Sequence, residues 1–318
     1  PRPGGGGDTV ACSGPLAVES LPAAVQEIAT GAEHACARTD SLVYCWGSNR
    51  QGQLGAGRGD QAASATPLLV EGLNGSAKAL ALGAYHSCAL MGDGSVRCWG
   101  ESAFGQTGSD PARDPTCSFG GKCTRTPALV LGPDGQPFSG ADQISAGRAH
   151  TCVRRNAEVW CWGFNKLGVL GDGRWGGVQL AAKRVEGLPS AASQLFGGNW
   201  LQAVLDDTGV AHVWGFNGLG QLGEGSIDGL PCDGDLPCRT SPSRGLGELT
   251  GLQSLALTGA TAYAVDAEGR VLGWGGVGYG GLGRQPGAAG DRPDCRHADY
   301  PLKVCNPTPA PIEGLPTP

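Results

Sequence analysis

The chain has 318 residues, 57 of them glycine and 22 proline, about a quarter of the whole where average usage would give roughly 12%. Interior Gly and Pro cost a helix about 1 and 3 kcal/mol relative to Ala, which excludes a helical bundle, while 40% hydrophobic residues with eight Trp exclude a disordered chain. A net charge of −6 with no Lys/Arg run longer than two argues against nucleic acid, and no apolar stretch reaches the roughly 18 residues of a membrane span.

Residues 1–22 form a Pro/Gly-rich segment that opens without Met or a signal-peptide core, so the chain reads as processed or excised. Within it, Pro15–Leu21 (PLAVESL) looks like a blade remnant. From residue 23 to 318 one frame recurs five times. Its first copy, IATGAEHACARTDSLVYCWGSNRQGQLGAG, runs from Ile28 to Gly57; LALGAYHSCALMGDGSVRCWGESAFGQTG ends at Gly108 and ISAGRAHTCVRRNAEVWCWGFNKLGVLGDG at Gly173. The copies around Trp214 and Trp274 keep the frame and drop the cysteines, and a Thr/Ser-Pro or Val-Glu-Gly-Leu phrase separates the copies. Each copy predicts two short strands joined by a Gly-x-x turn, a tight turn such as Gly92-Asp93-Gly94, a third strand ending in Trp-Gly, and a fourth strand in the Thr-Pro phrase. Four antiparallel strands repeated five times is the pattern of an all-β propeller.

The phrases G-x-x-H-x-x-A-L and V-x-x-W-G-x-N-x-x-G-Q-L-G, spread over residues 23 to 315, resemble the repeat of the regulator-of-chromosome-condensation family. That resemblance implies a β-propeller, usually of seven blades, so five visible copies imply a small or incomplete ring. The secreted setting is similar to that of the propeller-type inhibitors of β-lactamases, although no residue here points to that activity.

Thirteen cysteines against one Met point to an oxidising compartment. Cys36 and Cys45, Cys88 and Cys98, and Cys152 and Cys161 hold the same two frame positions, which are Ala203 and Val213 in copy four and are read as Ala264 and Gly273 in copy five. Both positions are cysteine or neither is, as facing hairpin residues within disulfide reach require. Cys117 and Cys123, Cys232 and Cys238, and Cys295 and Cys305 pair by spacing inside insertions that precede the fourth strand, and no pair has the C-x₂₋₄-C spacing of a zinc site. Cys12 is left as a free thiol, an intermolecular link, or the partner of a residue elsewhere.

His34, His86 and His150 share one frame position, with Leu201 and Ala262 read at that position in the last two copies; a structural role is favoured over a metal ring, and no metal or cofactor is expected. The dinucleotide-like Gly276-x-Gly278-x-x-Gly281 lies inside the Gly-rich frame without a following helix, and no nucleophile motif is present. Asp228 to Asp235 lacks an EF-hand spacing, and Asn74-Gly75-Ser76 is a glycosylation sequon. Ala- and Gly-rich usage leans toward a bacterial source.

Function is sought where the copies differ. In a four-stranded meander the first and third connections emerge on one side, so the variable turn residues and all three cysteine-closed insertions fall on one face. The candidate binding residues there are Tyr85, Phe104, Arg148, Trp175, Trp200, Tyr279 and Tyr300, with Phe119 beside them, and the aromatics and arginine are of types enriched in binding hot spots. The expected function is a non-catalytic extracellular, periplasmic or cell-surface scaffold for a protein partner or, second, a glycan. The alternatives are a self-assembling structural protein and a lyase or hydrolase working in the central funnel. The six expected disulfides disfavour the nuclear nucleotide-exchange role associated with the family. Peptide mapping under non-reducing conditions is expected to recover Cys36 joined to Cys45, and free thiols at both would remove the argument for an oxidising compartment.

Overall fold

The computed structural model describes residues 17–18, 20–21, 24–57, 61–73, 77–117, 120–188, 192–278, 281–283, 287–288, 290–295, 304–312 and 315. Five antiparallel sheets follow one another along the chain. The first holds β1 (Glu27–Thr30), β2 (His34–Arg38), β3 (Val43–Ser48) and β4 (Ala63–Leu69), and the second β5 (Ala77–Leu82), β6 (His86–Met91), β7 (Val96–Glu101) and β8 (Cys123–Leu129). The third holds β9 (Gln143–Ala146), β10 (His150–Arg155), β11 (Glu158–Phe164) and β12 (Val178–Arg184). In the fourth, β13 (Ala192–Gly197), β14 (Leu201–Asp206) and β15 (Ala211–Phe216) lead to β17 (Pro237–Arg244), and the insertion adds a fifth short strand, β16 (Leu230–Pro231). The fifth holds β18 (Ser254–Leu257), β19 (Thr261–Val265), β20 (Val271–Gly276) and β21 (Cys305–Pro311). Among the described residues no helix is long and apolar enough to cross a membrane.

The inner strands pack in chain order, β1 on β5, β5 on β9, β9 on β13 and β13 on β18, and among the described residues no comparable packing joins β18 to β1. The five blades form one packed series in chain order. Its core is a series of slabs, one between each pair of blades: Cys36, Cys45, Leu54 and Val70 meet Leu80 and Trp99 across the first boundary, and Leu201, Val213 and Leu222 meet Leu255, Leu272 and Trp274 across the last.

One tryptophan per blade locks each boundary. Trp99, Trp162, Trp214 and Trp274 are 0%, 0%, 0% and 1% exposed. Their indole N–H groups donate to carbonyls of the preceding blade, at 2.9 Å to Gln53, 3.0 Å to Gln106, 2.8 Å to Val169 and 2.9 Å to Gln221. At each of these tryptophans the pairing of third and fourth strands slips by a bulge, and the glycine that follows takes a positive φ, from +100° at Gly275 to +106° at Gly215. A Cβ there would lie 2.5 Å from the Tyr85 carbonyl at Gly100 and 2.4 Å from that of Trp200 at Gly215. Both conformation and space demand glycine, which explains the invariant Trp-Gly pair.

The register corrects the frame of the fifth copy. Cys36 faces Cys45, Cys88 faces Cys98 and Cys152 faces Cys161, but Gly273 faces Tyr263, not Ala264. The histidine position of that blade is Thr261, not Ala262, and Thr261 opens β19 instead of lying in the first turn. Alignment on Gly259 misleads, because Thr258 is the residue that closes the turn: its N–H donates to the Thr261 carbonyl as that of Gly83 does to His86. The structure forms six disulfides, Cys36–Cys45, Cys88–Cys98, Cys117–Cys123, Cys152–Cys161, Cys232–Cys238 and Cys295–Cys305. Cys12 lies outside the described residues.

Replacing Trp214 by Phe keeps a large ring but removes the indole donor to the Val169 carbonyl, and is expected to cost about 1–3 kcal/mol. Urea unfolding of the variant against the parent chain measures it.

Candidate binding site on the connection face

The first turns of the first three blades are each hydrogen-bonded to the turn of the blade that follows. The Ala84 N–H donates to the Arg148 carbonyl at 3.0 Å and the Arg148 N–H to the Asn199 carbonyl at 2.9 Å. A Cβ on Gly147 would lie 2.6 Å from the Gly198 carbonyl, so the turn needs glycine to approach this closely. The repeated histidines reinforce the same seam. His34 Nε2 lies 2.8 Å from Ser87 Oγ, His86 Nε2 2.9 Å from Thr151 Oγ1, and His150 Nε2 2.8 Å from the side-chain amide of Gln202. Ser87 donates its own proton to the Gln53 carbonyl, so it accepts from His34, which fixes that ring as the neutral Nε2–H tautomer. Burial lowers the pKa of His34 to about 4 and of His150 to about 3; His86, also at about 3, is lowered by burial first and then by His150 and His34. These rings are structural bridges between blades.

Upon that seam the connection face carries a cavity of about 730 Å³, built from four blades. Tyr85, Glu101 and Phe104 come from the second blade; Arg148, Phe164 and Lys166 from the third; Asn199, Trp200 and Phe216 from the fourth; Thr258 and Ala260 from the fifth. Asp233 and Leu236, inside the loop closed by Cys232–Cys238, add a wall. The fold holds that loop by the Cys232 N–H, which donates to the Leu236 carbonyl at 2.9 Å, and by Lys166, whose ammonium lies 2.9 Å from Asp233.

Phe104 and Phe164 stack with centroids 4.6 Å apart at 23°, and Trp200 meets Phe164 edge-on at 6.5 Å and 68°. The Arg148 guanidinium carbon lies 5.8 Å from the Trp200 ring centroid, a cation–π approach. Gln106 braces this wall: its Oε1 accepts from the Phe104 N–H and its Nε2 donates to Glu101 Oε2, both at 2.9 Å. Burial raises the Glu101 pKa, opposed by the charge of Arg148 and by the Gln106 donor.

Of the residues singled out in the sequence, Tyr85, Phe104, Arg148 and Trp200 line this one cavity. Trp175 is 49% exposed in the β11–β12 connection and is not part of the lining. Tyr279, Tyr300 and Phe119, like the sequon at Asn74–Ser76, fall outside the described residues. Glu101, Phe164 and Phe216 were missed because they follow the constant Trp-Gly pair. Comparing Ser48, Glu101, Phe164, Phe216 and Gly276 at that place would have shown it to be variable. A second cavity of about 460 Å³ lies between the insertions of the last two blades, lined by Asp228, Asp235, Arg292 and Asp294 among others.

Residues 25–53, 77–106 and 141–169 match one model of the regulator of chromosome condensation (RCC1) repeat, and residues 40–90 match another. These matched segments, in the first three blades, are similar to RCC1 repeats. The chain is 29% identical over 217 residues to the ultraviolet-B receptor UVR8 of Arabidopsis thaliana, covering 67% of this chain and 46% of that protein. To the mouse RCC1 domain-containing protein 1 it is 34% identical over 180 residues, 46% of each. The chain thus spans about half the length of these relatives. Both are eukaryotic and lend no support to a bacterial source. In fold, the crystal structure of Prp20p from Saccharomyces cerevisiae superposes with a TM-score of 0.66 at 21% identity, over 92% of this chain and 66% of Prp20p. The likeness to Prp20p is one of fold.

The three buried histidines give these blades an acid-labile seam. Their folded pKa values lie below the ordinary 6.5, so the stability they contribute is complete above pH 6.5 and drains as pH falls toward 4 and 3. At pH 5 the loss is about 2 kcal/mol per histidine. Thermal melting between pH 7 and 5 is expected to show a falling midpoint, with a shallower fall in the His86→Gln variant.

Proposed function

We propose that this chain is a non-catalytic scaffold that holds a protein partner on its connection face, outside the cytosol. The observation that carries this reading is the convergence of Tyr85, Phe104, Arg148 and Trp200, from three blades, on one cavity. Trp, Tyr and Arg are the residue types that anchor protein interfaces. The cavity's walls are rigid, since they stand on hydrogen-bonded turns and on a disulfide-closed loop, and rigidity lowers the entropy cost of binding. The histidines are occupied in bridging blades, which favours a binding role over a catalytic one. Prp20p, which shares the fold, is described by its binding to Gsp1p and histones, and UVR8 is a receptor. Six disulfides support an oxidising compartment.

Trp200→Ala and Tyr85→Ala are expected to abolish capture of a partner that the parent chain retains in a pull-down, with an unchanged melting temperature. Equal capture by parent and variants would refute the assignment of the face.

A second reading, self-assembly, is favoured by the exposed side of the first blade. Trp46 is half-buried and donates to no carbonyl among the described residues, unlike its four counterparts, and Ile28 on β1 is 65% exposed. A second copy could supply the missing neighbour. If it does, sedimentation velocity shows concentration-dependent association that Ile28→Glu removes; a monomer at every concentration rules it out.

A further inference from the structure

The fold leaves one carboxylate oxygen of Glu101 and the Arg148 guanidinium, which approaches the Trp200 ring, without a hydrogen-bond partner among the described residues. Asp233 is taken by Lys166, and Glu101 Oε2 by Gln106. Among the described residues Glu101 Oε1 receives no hydrogen bond, and the Arg148 guanidinium makes neither a hydrogen bond nor an ion pair within contact distance. Beside them Phe104, stacked on Phe164 by one face, remains 38% exposed and lines the cavity, and the Trp200 ring is set at 68° to Phe164.

We infer that this cavity takes a neutral pyranose, stacked on the outer face of Phe104 and bonded through neighbouring hydroxyls to Glu101 and Arg148. The lone carboxylate oxygen needs a donor and the guanidinium an acceptor, and a hydroxyl is both. An anionic ligand would satisfy Arg148 and be repelled by Glu101, and a cationic one the reverse. A pyranose also offers a flat face of C–H bonds, which carry the partial positive charge that the negative face of an aromatic ring attracts. A peptide amide supplies one donor and one acceptor but no such face. The cavity's 730 Å³ falls within the range of about 300–1,000 Å³ typical of small-molecule sites. The inference rests on the same face as the proposed protein scaffold and names a ligand for its centre; the sugar is either a free saccharide or a glycan borne by the partner.

The test is a glycan array probed with the full chain, followed by calorimetric titration with cellobiose, maltose, lactose and N,N′-diacetylchitobiose. At least one saccharide is expected to bind, Glu101→Gln and Arg148→Ala each weakening it by about tenfold or more, the size expected for a lost hydrogen bond to a charged group. Arg270→Gln, on the turn between β19 and β20, is expected to leave the affinity unchanged, and melting curves confirm that every variant is folded. A free saccharide that displaces a captured partner protein identifies a glycan on the partner; one that binds without displacement identifies the free sugar as ligand. No saccharide bound on the array, or binding that survives both Glu101→Gln and Arg148→Ala, overturns the inference. Should Trp200→Ala still abolish partner capture in that case, the protein-binding reading stands without it.

Discussion

A single hydrogen bond, repeated at each blade boundary, sets the architecture: the indole of one blade donates to a backbone carbonyl of the blade before it. A four-stranded sheet with two apolar faces has no stability alone, and its neighbour must arrive at one angle and one height. The tryptophan enforces both, because its ring fills the slab while its N–H must find a carbonyl in a place without water. The bulge at Trp-Gly, the buried histidine bridges and the close Gly147–Gly198 approach are further fittings to the same boundary.

Constancy at the boundaries leaves the turns free to vary without cost to the fold. The first and third connections emerge together, so a substitution such as Ala84 in one blade for Arg148 in the next changes the face and leaves the seam intact, since only backbone atoms join them. The insertion of the fourth blade exploits the same freedom. It has too little apolar surface to order itself, and its disulfide with the Lys166–Asp233 pair holds Leu236 against the cavity. The loop-closure entropy removed by so short a ring is about 2 to 3 kcal/mol in the chain-entropy model.

Much of this was legible before any coordinates, because the repeat is local information. Strand order, the disulfide pairs at sequence separations of 6 to 10 and the face that carries the variable turns all follow from alternation, turn residues and self-comparison. The fifth copy was misread by one residue because its letters offer a glycine one place late, at Gly259, and hydrogen bonding, not residue type, decides which residue closes the turn. Glu101 and Phe164 escaped notice because they lie next to a constant motif.

The sequence by itself determined the blade, since each blade's pattern is complete within some fifty to sixty residues, and it determined where the disulfides go. Only the tertiary structure decided that Phe104, Phe164 and Trp200, from three blades, come together, that Glu101 and Arg148 line the same cavity, and that Trp46, among the described residues, has no carbonyl to donate to as its counterparts do. Those facts depend on the rotation between blades and on the path of an insertion, and contacts between residues some sixty positions apart leave no trace in local periodicity.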